Sequence, residues 1–346
     1  MQDIAVPTMA VSDHLGWWAT QWDELVDLSP LPSPFLRSWW LTGVSEPQSR
    51  FVLAVDGDQL LGGLALEESR RLGLLRLSMA GAGPLCPDHL DMLTRPGHED
   101  AVAQVVRSWM NRPGGCLIDM DGIRADSLLM DTLPGRVRVE SLAGAPWARL
   151  TDDPDSYRAA RPAGLRKTLR KTFSRFEAAG VSYRVSRGRS VAEALETLRQ
   201  LHQVQWGDRS RFLPAFSRFA RACLLGAEAD EVAVHELRAS ETVLAIMVSF
   251  EVAGRVSLYQ SARRTEHCWR DATTALLATI TADACVRGFT EVDFLRGEEG
   301  YKNNFAPERR RLQRLRTARG RAGAAALAVE ETARNVKRGA ANRTSQ

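Results

Sequence analysis

The residues from 272 to 305 constrain this chain more than any other stretch. Positions 272–287 read as a helix, with Ala275, Leu276, Leu277, Ala278 and Ile280 leading into Ala282 and Val286, and it stops at Gly288. Glu291-Val-Asp-Phe-Leu295 then reads as a short buried strand. Within a few residues the chain changes character, into Arg296-Gly-Glu-Glu-Gly-Tyr-Lys302. A helix, a glycine turn, a buried strand and a polar cluster at its carboxyl end is the order in which α/β sheets place their chemistry. Taken alone, Arg296, Glu298 and Glu299 read equally well as solvated turn charges.

Composition narrows the classes. At 346 residues, 44% of them apolar and 25% charged, the chain suits two ordinary domains. No apolar run approaches the roughly 18–20 residues a bilayer span needs. The first residues lack the basic and apolar regions of a signal peptide, so the expectation is a cytoplasmic protein. Cys86, Cys116, Cys223, Cys268 and Cys285 show no CxxC and no metal-ligand spacing, so no metal is expected. Charge is uneven. Residues 1–150 hold 12 arginines, no lysine and 19 acids, a formal −7, leaving +11 on the remainder. The basic half is where an anionic donor would bind.

In chain order, 13–29 reads as a helix with Trp17, Trp18, Trp22 and Leu25 near one face. Ser33 with Pro34 reads as the start of a second helix. Runs at 51–55, 60–67 and 72–79 read as strands, 98–111 as a helix and 116–120 as a buried strand. Asp119, Asp121 and Asp126 lack calcium-loop spacing. Gly and Pro cluster at 143–147, a natural boundary. The helix Arg166 to Phe176 carries Leu165, Leu169, Phe173 and Phe176 on one face. Arg166, Lys167, Arg170, Lys171 and Arg175 cover much of the rest, either as a solvated surface or as an anion-binding one. A strand at 181–185, helices at 191–206 and 212–225, and strands at 231–238, 243–252 and 256–261 follow. After Phe305 the chain is arginine-rich from Arg309 to Arg321, a solvated tail or an RNA- or anion-binding arm.

The segment Asp293-Phe-Leu-Arg-Gly-Glu-Glu-Gly-Tyr-Lys302 resembles the signature of the CelD/BcsL-like acyltransferases, a branch of the GNAT superfamily. It is also similar to the end of the second domain in Fem-type aminoacyl transferases, where an aromatic–Lys pair follows a strand and a glycine turn. Ser33-Pro-Phe with Trp40, the basic helix closed by Gly180, and the His202/Trp206 pair extend the likeness over roughly residues 30–316.

The resemblance implies an α/β (α+β) chain of tandem GNAT-like domains, each a mixed, largely antiparallel sheet flanked by helices. Residues 1–147 would be a divergent first domain, 148–320 the acyltransferase domain and 321–346 a basic tail. The implied reaction carries an acyl group from acetyl-CoA or another acyl-CoA to the amine of a small-molecule or sugar acceptor, by direct attack. Lys302 would stabilise transition-state charge beside Tyr301. Asp293 would orient the strand end or the amine, and His202 or Glu299 would accept a proton. Arg296, Glu298, Trp206 and Tyr259 would face the acceptor.

Trp269, Arg270, Thr273 and Thr274, where GNAT enzymes carry a pyrophosphate loop, would hold the donor with Arg170 and Lys171. Here the chain departs from the family pattern. No glycine lies between Gly254 and Gly288, and Asp271 puts a negative charge where phosphate would sit. An aminoacyl-tRNA donor is therefore the alternative, and a non-catalytic GNAT-derived binding protein the third reading.

Overall fold

The computed structural model describes residues 7–297 and 299–344, with side chains as far as 334. The chain forms two compact units, and neither is continuous in sequence: residues 1–31, 45–142 and 313–346 make one, and 32–44 with 143–312 the other. In chain order the first begins with β1 (Thr8–Ser12) and α1 (Ala19–Leu28). α2 (Ser38–Val44) belongs to the second unit. The first resumes with β2 (Ser49–Asp56), β3 (Gln59–Arg71), β4 (Leu74–Met79), β5 (Leu93–Thr94), α3 (Glu99–Met110), β6 (Cys116–Arg124), α4 (Leu129–Thr132) and β7 (Arg138–Ser141). The second comprises β8 (Ala145–Arg149), α5 (Pro154–Ala159), α6 (Ala163–Ala178), β9 (Val181–Ser186), α7 (Val191–Trp206), α8 (Phe216–Glu228), β10 (Val232–Ala239), β11 (Thr242–Val252), β12 (Arg255–Arg263), α9 (Ala272–Val286), β13 (Glu291–Asp293), α10 (Gly300–Phe305) and β14 (Glu308–Arg310). β15 (Leu312–Arg319) and α11 (Gly320–Thr344) complete the first.

Each unit is built on one mostly antiparallel sheet flanked by helices, the expected fold class. In the first, the strand order is β1-β2-β3-β4-β6-β15-β7 with β5 on β3, and in the second β14-β8-β13-β12-β11-β10-β9. No helix among the described residues is long and apolar enough to cross a membrane.

Three local expectations are corrected. Ser33 makes no side-chain cap; Pro34–Leu36 is a 3-10 turn ahead of α2. The Gly/Pro cluster at 143–147 runs into strand β8, because Pro146 and Trp147 pair with β14 and β13. The arginine-rich stretch after 305 is neither a free tail nor an exposed arm up to 319. Arg310 binds Glu291 and Asp293, Arg314 grips Asp119 through two bonds, and Arg316 reaches Glu330. These guanidinium groups meet carboxylates on other strands or, for Arg316, on α11, so their charge is spent inside the fold.

α2 shows why residues 32–44 join the second unit. Phe35, Trp39 and Trp40 stack edge-on with Phe250 of β11, and Arg37 pairs with Glu231 at 2.8 Å. Gly43 lets α2 touch α8: a Cβ there would lie 2.2 Å from Ala222 Cα. Backbone cannot yield that much. Gly43→Ala should therefore destabilise the protein by about 1–3 kcal/mol despite alanine's better helix propensity, read as a lower urea midpoint.

Behind β10, Tyr183 Oη sits 2.7 Å from His235 Nδ1 and Ser249 Oγ 2.8 Å from Nε2. Burial pushes the imidazole down to about 3, so the folded protein holds it neutral while the unfolded chain takes up a proton at about 6.5. Since the unfolded state binds more protons in that window, stability should fall as pH drops from about 6.5 towards about 3. Urea midpoints across that range should show the slope, and His235→Gln should flatten it.

Candidate functional site

The strand β13 is only three residues long. It runs parallel to β12 through Arg255↔Glu291, Val256↔Val292 and Ser257↔Asp293. It then leaves. Phe294 N donates to Pro146 O at 2.8 Å, so the chain beyond Asp293 follows β8 and not β12. β12 continues to Arg263, paired on its other side with β11. A gap thus opens beside Leu258–Arg263. The register of β11 and β12 also shifts between Val248↔Gln260 and Ser249↔Leu258, leaving Tyr259 as an extra residue. Bulges of this kind bend a strand and turn backbone groups out of the ladder.

An ion network fixes the divergence. Asp293 is fully buried; its Oδ1 accepts the Leu295 N–H at 2.7 Å and its Oδ2 pairs with Arg310 at 3.3 Å. Leu295, at φ +53°, is in the left-handed region, and Asp293 holds that turn closed. Glu291 takes two bonds from Arg310 and lies 2.5 Å from Arg255 Nε. Asp293 therefore shapes the strand end.

After the turn, α10 brings Lys302 back onto it. The side chain is 9% exposed; Nζ donates to Arg296 O at 3.0 Å and pairs with Glu299 at 3.1 Å. Gly297 faces this ammonium directly, since a Cβ there would stand 2.5 Å from Nζ. Tyr301 packs against the core, and burial together with the nearby Glu299 pushes its phenol up to about 12, so it is a proton donor and not a phenolate at neutral pH. Lys302, Tyr301, Arg296 and Glu299 are thus one cluster; Glu298 lies outside the described residues.

The acceptor-side residues separate. The Tyr259 ring sits within 6 Å of Phe35, Trp40, Phe219 and Phe250, an aromatic core on the α2/α8 side of the sheet. His202, on α7, is buried against Phe212, with Nδ1 3.3 Å from Ser210 Oγ, and burial lowers its pKa so that it stays neutral. Trp206, at 45% exposure, flanks it. What ties α7 to the gap is Gln205, whose Oε1 accepts the Arg263 N–H at 3.0 Å. The sequence reading passed over Gln205; its place between His202 and Trp206 was the available signal.

The donor-side residues also divide. Trp269 packs edge-on against Phe176 of α6, ahead of α9. Asp271, at the N-terminus of α9, pairs with Arg175 at 3.2 Å and Arg270 at 3.6 Å. Asp271 directly precedes the first turn holding Thr273 and Thr274 and makes no side-chain cap hydrogen bond there, so its negative charge stands beside the helix end at which the pyrophosphate was expected. Arg170 and Lys171 are exposed on α6, and it is Arg175, farther along, that reaches this helix end. Among the described residues no group of His, Cys, Asp or Glu could hold a metal.

Lysine is rare here. Of 46 basic residues only Lys167, Lys171, Lys302 and Lys337 are lysines, which makes Lys302 easy to follow. Gly297 stands at φ +153°, where an L side chain is strained, and a Cβ would also crowd the ends of Glu299 and Lys302. Gly297→Ala should therefore lower the thermal midpoint and raise the rate at which Lys302 is acetylated by a reagent, followed by peptide mass spectrometry.

Residues 163–303 match the family model described as an acetyltransferase (GNAT) domain. No curated protein matches the sequence. Among solved structures the fold is similar to that of FemX, with a TM-score of 0.60 at 11% identity over 85% of this chain and 95% of that one. It is also similar to L-PGS from Bacillus licheniformis, with 0.53 at 15% identity over 80% and 85%. A protein of unknown function from Bacteroides thetaiotaomicron gives 0.60 at 11% identity over 89% and 99%.

Proposed function

We propose, from the match of residues 163–303 to a GNAT acetyltransferase domain, that this chain is an N-acyltransferase in which an activated acyl group lies in the gap between β12 and β13 and is attacked directly by an acceptor amine. The observation that carries the reading is the three-residue pairing followed by divergence. It exposes the unpaired edge of β12, and its backbone groups beside Tyr259 can hydrogen-bond an acyl carbonyl. Direct attack needs two reactants held together, an oxyanion stabilised and one proton taken from the amine, and it ends when the acyl C–S or C–O bond breaks and the leaving thiol or hydroxyl takes up a proton. The Lys302 ammonium has three donors and directs two at Arg296 O and Glu299, leaving one for developing negative charge. The neutral imidazole of His202, or Glu299, would take the proton, and Arg296 and Trp206 would contact the acceptor. The acceptor class is a small-molecule or sugar amine.

For the donor, acyl-CoA is the first reading, supported by the family match. The Asp271 carboxylate at the α9 N-terminus favours a second, an aminoacyl-tRNA, whose activated ester would enter the same gap without needing a pyrophosphate seat. Native mass spectrometry of freshly purified protein should find co-purified CoA or tRNA. Acetyl-CoA binding that survives RNase supports the first reading, and binding lost to RNase and to salt the second. Lys302→Met should retain donor binding while lowering kcat by roughly 100-fold, in the range for loss of one oxyanion donor. If neither donor binds, the transferase reading fails and a non-catalytic binding role replaces it.

A further inference from the structure

Away from that gap, a cavity of about 170 Å³ opens between α5, α6, α9 and α10 of the second unit. A single water needs about 10–15 Å³ measured the same way, so this is a void of ligand size. Its walls are Leu165, Leu169, Phe173, Ala278, Ala282 and Phe305. Several polar atoms around it are already committed. Thr279 Oγ1 donates to Ala275 O, and Tyr157 Oη and Arg161 Nη1 both donate to Phe305 O, at 2.7 and 2.6 Å. A sugar, nucleobase or peptide would find few partners among these mostly apolar walls. An alkyl chain needs none.

The mouth has the opposite chemistry. Arg158, Leu169 and Phe173 also line a wider concavity of about 540 Å³ on the outer face of α6, together with Arg166 and Arg170 and with two acids, Asp155 and Glu177. The slot and this surface are therefore continuous. Arg158 has an exposed partner in Asp155 at 2.6 Å, but Arg166 and Arg170 make no ion pair among the described residues. Two unspent guanidinium groups beside an apolar slot match a ligand with a single acyl chain and an anionic head.

We propose that this slot binds such an anionic amphiphile, a fatty acid or an alkyl phosphate, with the chain between α6 and α9 and the head at Arg166 and Arg170. The site is independent of the acyl-transfer reading, and none of its wall residues belongs to the Lys302 cluster.

The test uses the full chain and a fluorescent C12 fatty acid, displaced by decanoate, decyl phosphate or the neutral decyl glucoside. Decanoate or decyl phosphate should displace at least tenfold more effectively than the glucoside. Ala282→Trp, which fills the slot, should reduce probe affinity at least tenfold. Arg166→Glu with Arg170→Glu, both on an exposed helix face, should do the same and keep the native melting transition. That pair keeps the test decisive if the tryptophan variant does not fold. Equal displacement by charged and neutral chains, absence of probe binding, or binding unchanged in the charge-reversal variant would overturn the proposal. So would binding to phosphatidylglycerol vesicles or to RNA that the charge reversal abolishes while monomeric decanoate never binds, since that would mark a surface and not a slot.

Discussion

Everything distinctive about the second unit follows from how Glu291 and Asp293 are neutralised. Two carboxylates two residues apart on one strand repel each other and resist burial, unless cations are held against them. Arg310 from β14 and Arg255 from β12 supply those cations, and the Trp147 ring lies 4.0 Å below the Arg310 guanidinium. Because Arg310 approaches from the β8/β14 side, satisfying Asp293 draws the strand end towards β8. The parting of β13 from β12 is thus an electrostatic outcome as much as a hydrogen-bonding one.

The same logic explains the second half of the site. Once the chain turns at Leu295, Arg296 O and Glu299 both face Lys302, and Gly297 carries no Cβ that would crowd the ammonium. A lysine held this way is buried but not isolated, with part of its donor capacity unspent. Asp271 shows the converse. Its carboxylate makes no cap hydrogen bond to α9 and is held by two arginines, which keeps a negative charge beside that helix end.

Much of the local structure was legible from the chain. The amphipathic pattern of 163–178, the largely apolar helix of 272–286 and the meander of 232–263 appear where their periodicities placed them, since buried faces dictate spacing. Two short strands, β8 and β14, were not legible. β8 carries a proline and β14 three charged residues, and each becomes a strand only because a neighbour offers a ladder. The arginines at 310–319 read as free charge for the same reason: their partners, Glu291 and Asp119, lie far away in sequence.

What the amino-acid order determined by itself was the inventory: a helix, glycine turn, strand and Lys-bearing cluster, with too little glycine ahead of α9 for a phosphate loop. Tertiary structure decided the geometry, namely which carboxylates are spent on arginines, which way β13 bends, and that Tyr259 lies among aromatic rings while Lys302 rests on Gly297. The reason is physical. Periodicity encodes which face of an element is buried, but charge pairing and strand divergence depend on residues brought together only when the sheet closes.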